Sequence, residues 1–206
     1  MSYIGSKPAN KPVVASDLDP AVITGQTALA VAPADTDEFL ISDAGVLKRL
    51  DASLIGGTNT PSFHVELASS QTVSDAAWTK VAFDTEVIDT NSAFDLATND
   101  RFTVPSGEGG KYLIYGSIAT SGSDNSAVQI GRLAPYKNGS AVIEVSLNNS
   151  TSAYSRSEHL AFSVIINLVA SDYLEMYGQS NVTSGTPKFG GAESANVTFF
   201  GGYKLL

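Results

Sequence analysis

The sequence predicts an all-β sandwich preceded by an extended N-terminal arm, and three observations carry that expectation. Only 16% of the 206 residues are charged while 43% are hydrophobic. A typical soluble domain is about 25% charged, so this surface must be polar mainly through Ser, Thr, Asn and Gly. Nearly all aromatic residues lie beyond Pro61, where short alternating runs follow one another at regular spacing. Gly, Asn, Asp and Ser separate those runs, and no helix of ordinary length interrupts them.

Residues 1–60 read as the arm. They hold four prolines (8, 12, 20 and 33) and only two aromatic residues, Tyr3 and Phe39. That supply of large apolar side chains is too small for a core. One piece reads as structured: Asp37–Asp51 has two apolar runs about Asp43-Ala44-Gly45, with Gly45 at the left-handed position of a three-residue hairpin loop. A short helix is expected next, capped by Asp51 or Ser53 and ending at Gly56-Gly57. A lone two-stranded hairpin is marginal in water, so it should need a partner surface.

Residues 61–206 read as strand after strand. The expected strands are 62–68, 78–87, 101–104, 111–120, 127–136, 141–147, 160–169, 172–178 and 197–205. In 160–169, Leu160, Phe162, Val164, Ile166 and Leu168 form one apolar face, while Ile165 and Val169 lie on the other. Adjacent Phe199 and Phe200 must point oppositely, because side chains alternate across a strand. A strand apolar on both faces needs a second hydrophobic surface, which a neighbouring subunit supplies.

The pieces Trp78-Thr-Lys-Val-Ala-Phe83, Asp89, Phe94-Asp95, Arg101-Phe-Thr-Val-Pro105, Gly110-Lys-Tyr112, Lys137-Asn-Gly139 and Phe199-Phe-Gly-Gly-Tyr203 occur in an order that resembles the globular head domain of complement C1q. That family is grouped with the tumour-necrosis-factor-like proteins. The resemblance covers about residues 61–206. It implies a ten-stranded jelly roll assembled as a homotrimer and used for display and recognition, with Tyr115, Tyr173, Tyr177, Phe199 and Phe200 lining the subunit interface. The stretch Thr36–Ile55 and the opening Met1-Ser-Tyr-Ile-Gly resemble N-terminal pieces of marine bacteriophage fibre and virion proteins. This second resemblance implies a virion-anchoring role for residues 1–60, through Phe39, Leu40, Ile41, Val46, Leu47 and Leu50.

Charge and composition narrow the function. The net charge is −9, and Lys48-Arg49 is the one pair of adjoining basic residues. Nucleic-acid binding, which needs basic clusters, is not expected. With no cysteine, thiol and zinc-ribbon chemistry are excluded. No apolar run reaches the length of a membrane span, and residues 1–14 carry no secretory h-region. The sequence therefore predicts neither membrane insertion nor a cleaved leader; host lysis would release a phage protein without one.

Catalytic patterns are weak. His64 and His159 each fall in an expected strand, with no Gly-x-Ser-x-Gly elbow. Gly107-Glu-Gly-Gly-Lys111 lacks the first glycine of a phosphate loop and has Tyr112 after the lysine. Asp84, Glu86, Asp89, Asp95 and Asp100 gather acidic charge without a calcium-loop spacing. The expectation is thus a non-enzymatic structural protein without cofactor or metal, on the external surface of a virion. Its expected partners are two further copies, a phage capsid or tail protein bound through residues 1–60, and a host-surface glycan or protein. A secreted complement-like adhesin and a carbohydrate-active enzyme are the alternatives.

Overall fold

A computed structural model describes residues 24–25, 27, 33–34, 36–55, 59–124, 127–149, 154–190 and 197–205. The chain forms two compact units, Met1–Gly56 and Gly57–Leu206.

In the first unit, β1 (Glu38–Asp43) pairs antiparallel with β2 (Val46–Asp51). The loop is two residues, shorter than the expected three. Ala44 and Gly45 both take positive φ, 51° and 81°, the geometry of a primed turn whose twist matches the strands. A single 3-10 turn, Ala52–Leu54, follows, capped by Asp51 through its bond from Ser53 N. The expected Gly56-Gly57 terminus lies outside the described residues.

The second unit builds from β3 (Ser62–Glu66), β4 (Gln71–Thr72), β5 (Thr79–Lys80), β6 (Thr85–Asp89), β7 (Phe94–Asp95), β8 (Arg101–Thr103), β9 (Gly110–Gly122) and β10 (Val128–Lys137). It continues through β11 (Ser140–Ala141), β12 (Val145–Asn148), β13 (Ser157–Leu168), β14 (Tyr173–Val182), β15 (Pro187–Phe189) and β16 (Phe199–Lys204). They form two seven-stranded antiparallel sheets. The first runs β13-β9-β16-β3-β6, with β15 and β4 extending it; the second runs β12-β10-β14-β8-β7, with β5 and β11 beside it. Following the chain, β3, β9, β13 and β16 fall in one sheet and β8, β10, β12 and β14 in the other. That alternation of partners is the connectivity of a jelly roll. The expected ten strands correspond to those of three or more residues; four two-residue pieces, β4, β5, β7 and β11, add to them.

The expected strand 78–87 is split. Val81 and Phe83 are both buried, and Val81 N bonds Met176 O, so the chain crosses the sandwich between β5 in one sheet and β6 in the other. Gln71 bridges the crossing, donating to Lys80 O and accepting from Ala82 N.

Between the sheets lies one continuous apolar core. Phe63 stacks on Phe102 at 4.5 Å and meets Phe94 at 5.4 Å, both from the opposite sheet, while Phe200 closes edge-on at 5.1 Å. Ile114, Ile118, Leu133, Leu174 and Met176 fill the rest.

At one end, Asp172 ties two turns together. It accepts from Val169 N at 2.8 Å and from Asn138 Nδ2 at 2.6 Å, and it pairs with Lys137 Nζ at 2.8 Å. These partners, the Lys137 bond foremost, hold its carboxyl down to about 2 from 3.8. A depressed folded pKa stabilises the fold fully above the unfolded value, and that contribution is lost as pH falls through the folded one. Asp172→Asn should therefore cost on the order of 1–2 kcal/mol at neutral pH. The deficit should shrink as pH drops from about 4 towards 2, as read from denaturant midpoints of both proteins across that range.

Candidate functional site

The outward face of the first sheet brings together residues that are far apart in sequence. Because Phe63 and Val65 of β3 point inward, Ser62, His64 and Glu66 point outward. By the same alternation β16 presents Phe199, Gly201 and Tyr203, and β9 presents Leu113, Tyr115 and Ser117. Register then sets rows across the sheet. One row reads Ser163, Tyr115, Gly201, His64, Ile88 across β13, β9, β16, β3 and β6. The next reads Ala161, Ser117, Phe199, Glu66, Thr85.

Gly201 is required at the centre of the first row. A Cβ there would stand 2.5 Å from the Tyr115 ring. With only hydrogen in the way, Tyr115 lies across the strand and its hydroxyl shares a 3.1 Å hydrogen bond with His64 Nδ1. His64 Nε2 stands 3.4 Å from Glu66 Oε1, and its ring lies 5.5 Å from Phe199. Burial, with Tyr203 second, pushes the Tyr115 hydroxyl above the ordinary tyrosine pKa. Beside this cluster opens a hollow of about 240 Å³ lined by Asn59, Ser62, Phe63, Ile88, Tyr115, Gly202 and Tyr203. Along the sheet edges Ile88, Ile165 and Val169 remain 50–64% exposed. The face is therefore aromatic and small-residue in its centre, with exposed aliphatic side chains at its borders.

The five residues expected at a subunit interface do not share one surface. Tyr115 and Phe199 belong to the face just described. Tyr173 and Tyr177 lie on the outward face of β14 in the opposite sheet, because Leu174 and Met176 of that strand are in the core. Phe200 is a correction: it is 0% exposed in a single chain, packed on Phe63, Phe83 and Phe162, so it has no surface to offer a neighbour. Glu66 was not singled out from sequence; His64 was weighed there only for catalysis, and Gly201 and Tyr203 only as part of the closing strand. The signal was present, since inward Phe63 and Val65 force His64 outward, but its meeting with Tyr115 depends on strand pairing.

The expected anchoring residues fall on the hairpin of the first unit. Phe39, Leu40 and Val46 are 41%, 76% and 58% exposed, Ile41 and Leu50 are half-buried, and the Leu47 side chain lies outside the described residues. Phe39 pairs with Leu50 on one face, and Leu40 opposes Arg49 on the other. Each face also carries an ion pair, Lys48 with Asp43 and Arg49 with Glu38.

The acidic run does not converge. Asp84 accepts from Ala68 N and Ser69 N, Asp89 from Ala93 N and Phe94 N, and Asp95 from Thr98 N. Each folds its own loop, and among the described residues no three His, Cys, Asp or Glu side chains are grouped to hold a metal ion. Exposed His159 stands 3.3 Å from Ser157 Oγ on β13.

No protein-family model and no curated protein matches the chain. Among solved structures, the globular domain of zebrafish complement 1qA protein is similar, with a TM-score of 0.49 and 15% identity over 71% of this chain and 98% of that one.

The contrast between neighbouring phenylalanines is testable in one experiment. Phe200→Ala empties a core position and should cost about 3–5 kcal/mol in chemical denaturation. Phe199→Ala should cost the folded chain far less. Equal losses would contradict the inward and outward assignment.

Proposed function

We propose that this chain is a trimeric structural and recognition protein on the outside of a bacteriophage particle, a fibre knob or capsid decoration. The first unit anchors it to a capsid or tail subunit, and the jelly roll is displayed towards the host surface. Three copies associate through the outward face of the first sheet, around Tyr115 and Phe199. Tyr173 and Tyr177 lie outside that contact.

The observation that carries this reading is the makeup of that face. A solvated sheet face normally carries charged and polar groups at alternate positions. Here Glu66 is the one carboxylate in the two central rows, Tyr115, Gly201 and Phe199 stand among Ser163, His64, Ser117 and Thr85, and Ile165 and Val169 are 60% and 64% exposed at the edge. The hairpin supports the anchoring half. It exposes Phe39, Leu40 and Val46, and a strand pair of this kind can add to a partner's sheet. Its likeness in sequence to virion N-terminal segments supplies the phage context.

Assembly is read by light scattering, where about three times the chain mass of 21.4 kDa is expected. Phe199→Asp places an unpaired charge in a desolvated contact, at several kcal/mol per ion. It should give folded monomers with unchanged far-ultraviolet circular dichroism. A native monomer at micromolar concentration overturns the assembly.

Anchoring is read by particle incorporation. A chain lacking residues 1–56 should fold and no longer join particles, whereas those residues fused to an unrelated trimeric protein should be incorporated. Normal occupancy by the truncated chain overturns the anchor.

A further inference from the structure

The outward face of the second sheet carries a separate aromatic cluster that neither assembly nor anchoring uses. Tyr177 of β14 and Tyr136 of β10 pack at 4.3 Å between ring centroids, and Trp78, just ahead of β5, meets Tyr136 at 6.3 Å. All three rings are partly exposed. Register explains their closeness. Tyr136 lies opposite Glu175, and the next outward pair, Ala134 and Tyr177, puts a small residue among the rings. Ala134 is 0% exposed although it points away from the core, so the larger side chains close over it.

The polar groups around the rings are mostly neutralised. The Glu175 carboxylate pairs with Lys80 Nζ at 3.0 Å and accepts from the Tyr177 hydroxyl at 3.5 Å. The Gln179 side chain donates to Ala76 O. Opposite Gln179 in register, the Arg132 Nε is buried without a hydrogen-bond partner; Glu144 Oε1, at 3.6 Å, is an ion-pair contact beyond hydrogen-bond range. The rest of the Arg132 guanidinium, on a side chain 36% exposed, carries further N–H donors that a ligand acceptor can meet.

We propose that Trp78, Tyr136 and Tyr177 form a platform for the pyranose rings of a neutral glycan, with Arg132, Gln179 and Glu175 as its hydrogen-bonding rim. Charge selects this occupant. A net charge of −9 repels anionic sugars and nucleic acid, and beside the rings Lys80 is already paired with Glu175. A flat apolar protein surface would have to desolvate that ion pair, whereas a polyhydroxylated ring bonds to it. The C–H face of a pyranose is apolar and carries the positive edge that the electron-rich faces of Trp and Tyr attract. The inference names the ligand class for the recognition role proposed above and rests on that reading.

Trp78 is the only tryptophan of the chain, so its fluorescence reports on the platform alone. The full-length protein is titrated with maltohexaose, cellohexaose, mannohexaose and laminarihexaose, and with sialyllactose as the anionic comparison. A saturable emission change with at least one neutral hexasaccharide, and none with sialyllactose, is expected. Tyr177→Ala and Tyr136→Ala should weaken binding at least about tenfold, and Tyr136→Phe, which keeps the ring, should retain it. Saturation-transfer NMR gives a second readout that needs no tryptophan, for use with Trp78→Ala. Absence of binding to all four neutral sugars by both methods overturns the proposal, as does binding that both alanine variants leave unchanged. Binding by the purified chain is independent of particle incorporation, so failure here and failure of the virion reading are separately visible.

Discussion

The stacking of Phe63 on Phe102 is the contact on which the rest of the sandwich depends. Phe63 comes from β3, between β16 and β6 in the first sheet, and Phe102 from β8 in the second; both are essentially unexposed. Around that pair gather Phe94 and Phe200, so four rings from four strands clamp the sheets at one place. Because alternation is strict along β3, fixing Phe63 inward also fixes His64 outward. The hydrogen bond shared by His64 and Tyr115 on the far side of the sheet is thus a consequence of core packing on the near side.

Alternation also explains how much of the fold was legible in the sequence. The long strands β9, β10, β13 and β14 each carry a stretch of alternating apolar residues, and they overlap the spans expected from those patterns. The pieces β4, β7 and β15 had no such signal, since two or three residues cannot establish a period. The 78–87 run was misleading for a physical reason. Val81 and Phe83 keep the inward alternation while the chain passes from one sheet to the other, so the pattern continues although the strand does not.

The surfaces were less legible than the core. Period two tells which residues of a strand share a face, but not which sheet that strand joins. Tyr115 on β9 and Tyr177 on β14 look alike in sequence, yet they lie on opposite outer faces because β9 pairs β13 and β16 while β14 pairs β10. Phe199 and Phe200 were separable from each other by alternation alone. Which of them was buried required the pairing of β16 with β3 and β9, which aligns Phe200 with Val65 and Gly116.

The distribution of charge gives the two outer faces their character. Several carboxylates that look like a functional cluster are committed to backbone N–H groups: Asp84, Asp89 and Asp95 in loops, and Asp172 at the turn it shares with Asn138. Four cations of the jelly roll, Lys80, Arg132, Lys137 and Lys204, already face carboxylates. The acidic excess is thereby largely used in shaping loops, and little of it is focused into a field that would steer an ionic partner. What the two sheets present outward is instead aromatic: His64, Tyr115 and Phe199 on one side, Trp78, Tyr136 and Tyr177 on the other. Contacts built on ring faces and neutral hydrogen bonds are short-ranged and little screened by salt, unlike those between exposed charges. Such contacts persist at high ionic strength, where long-range electrostatic attraction is extinguished within a few ångströms.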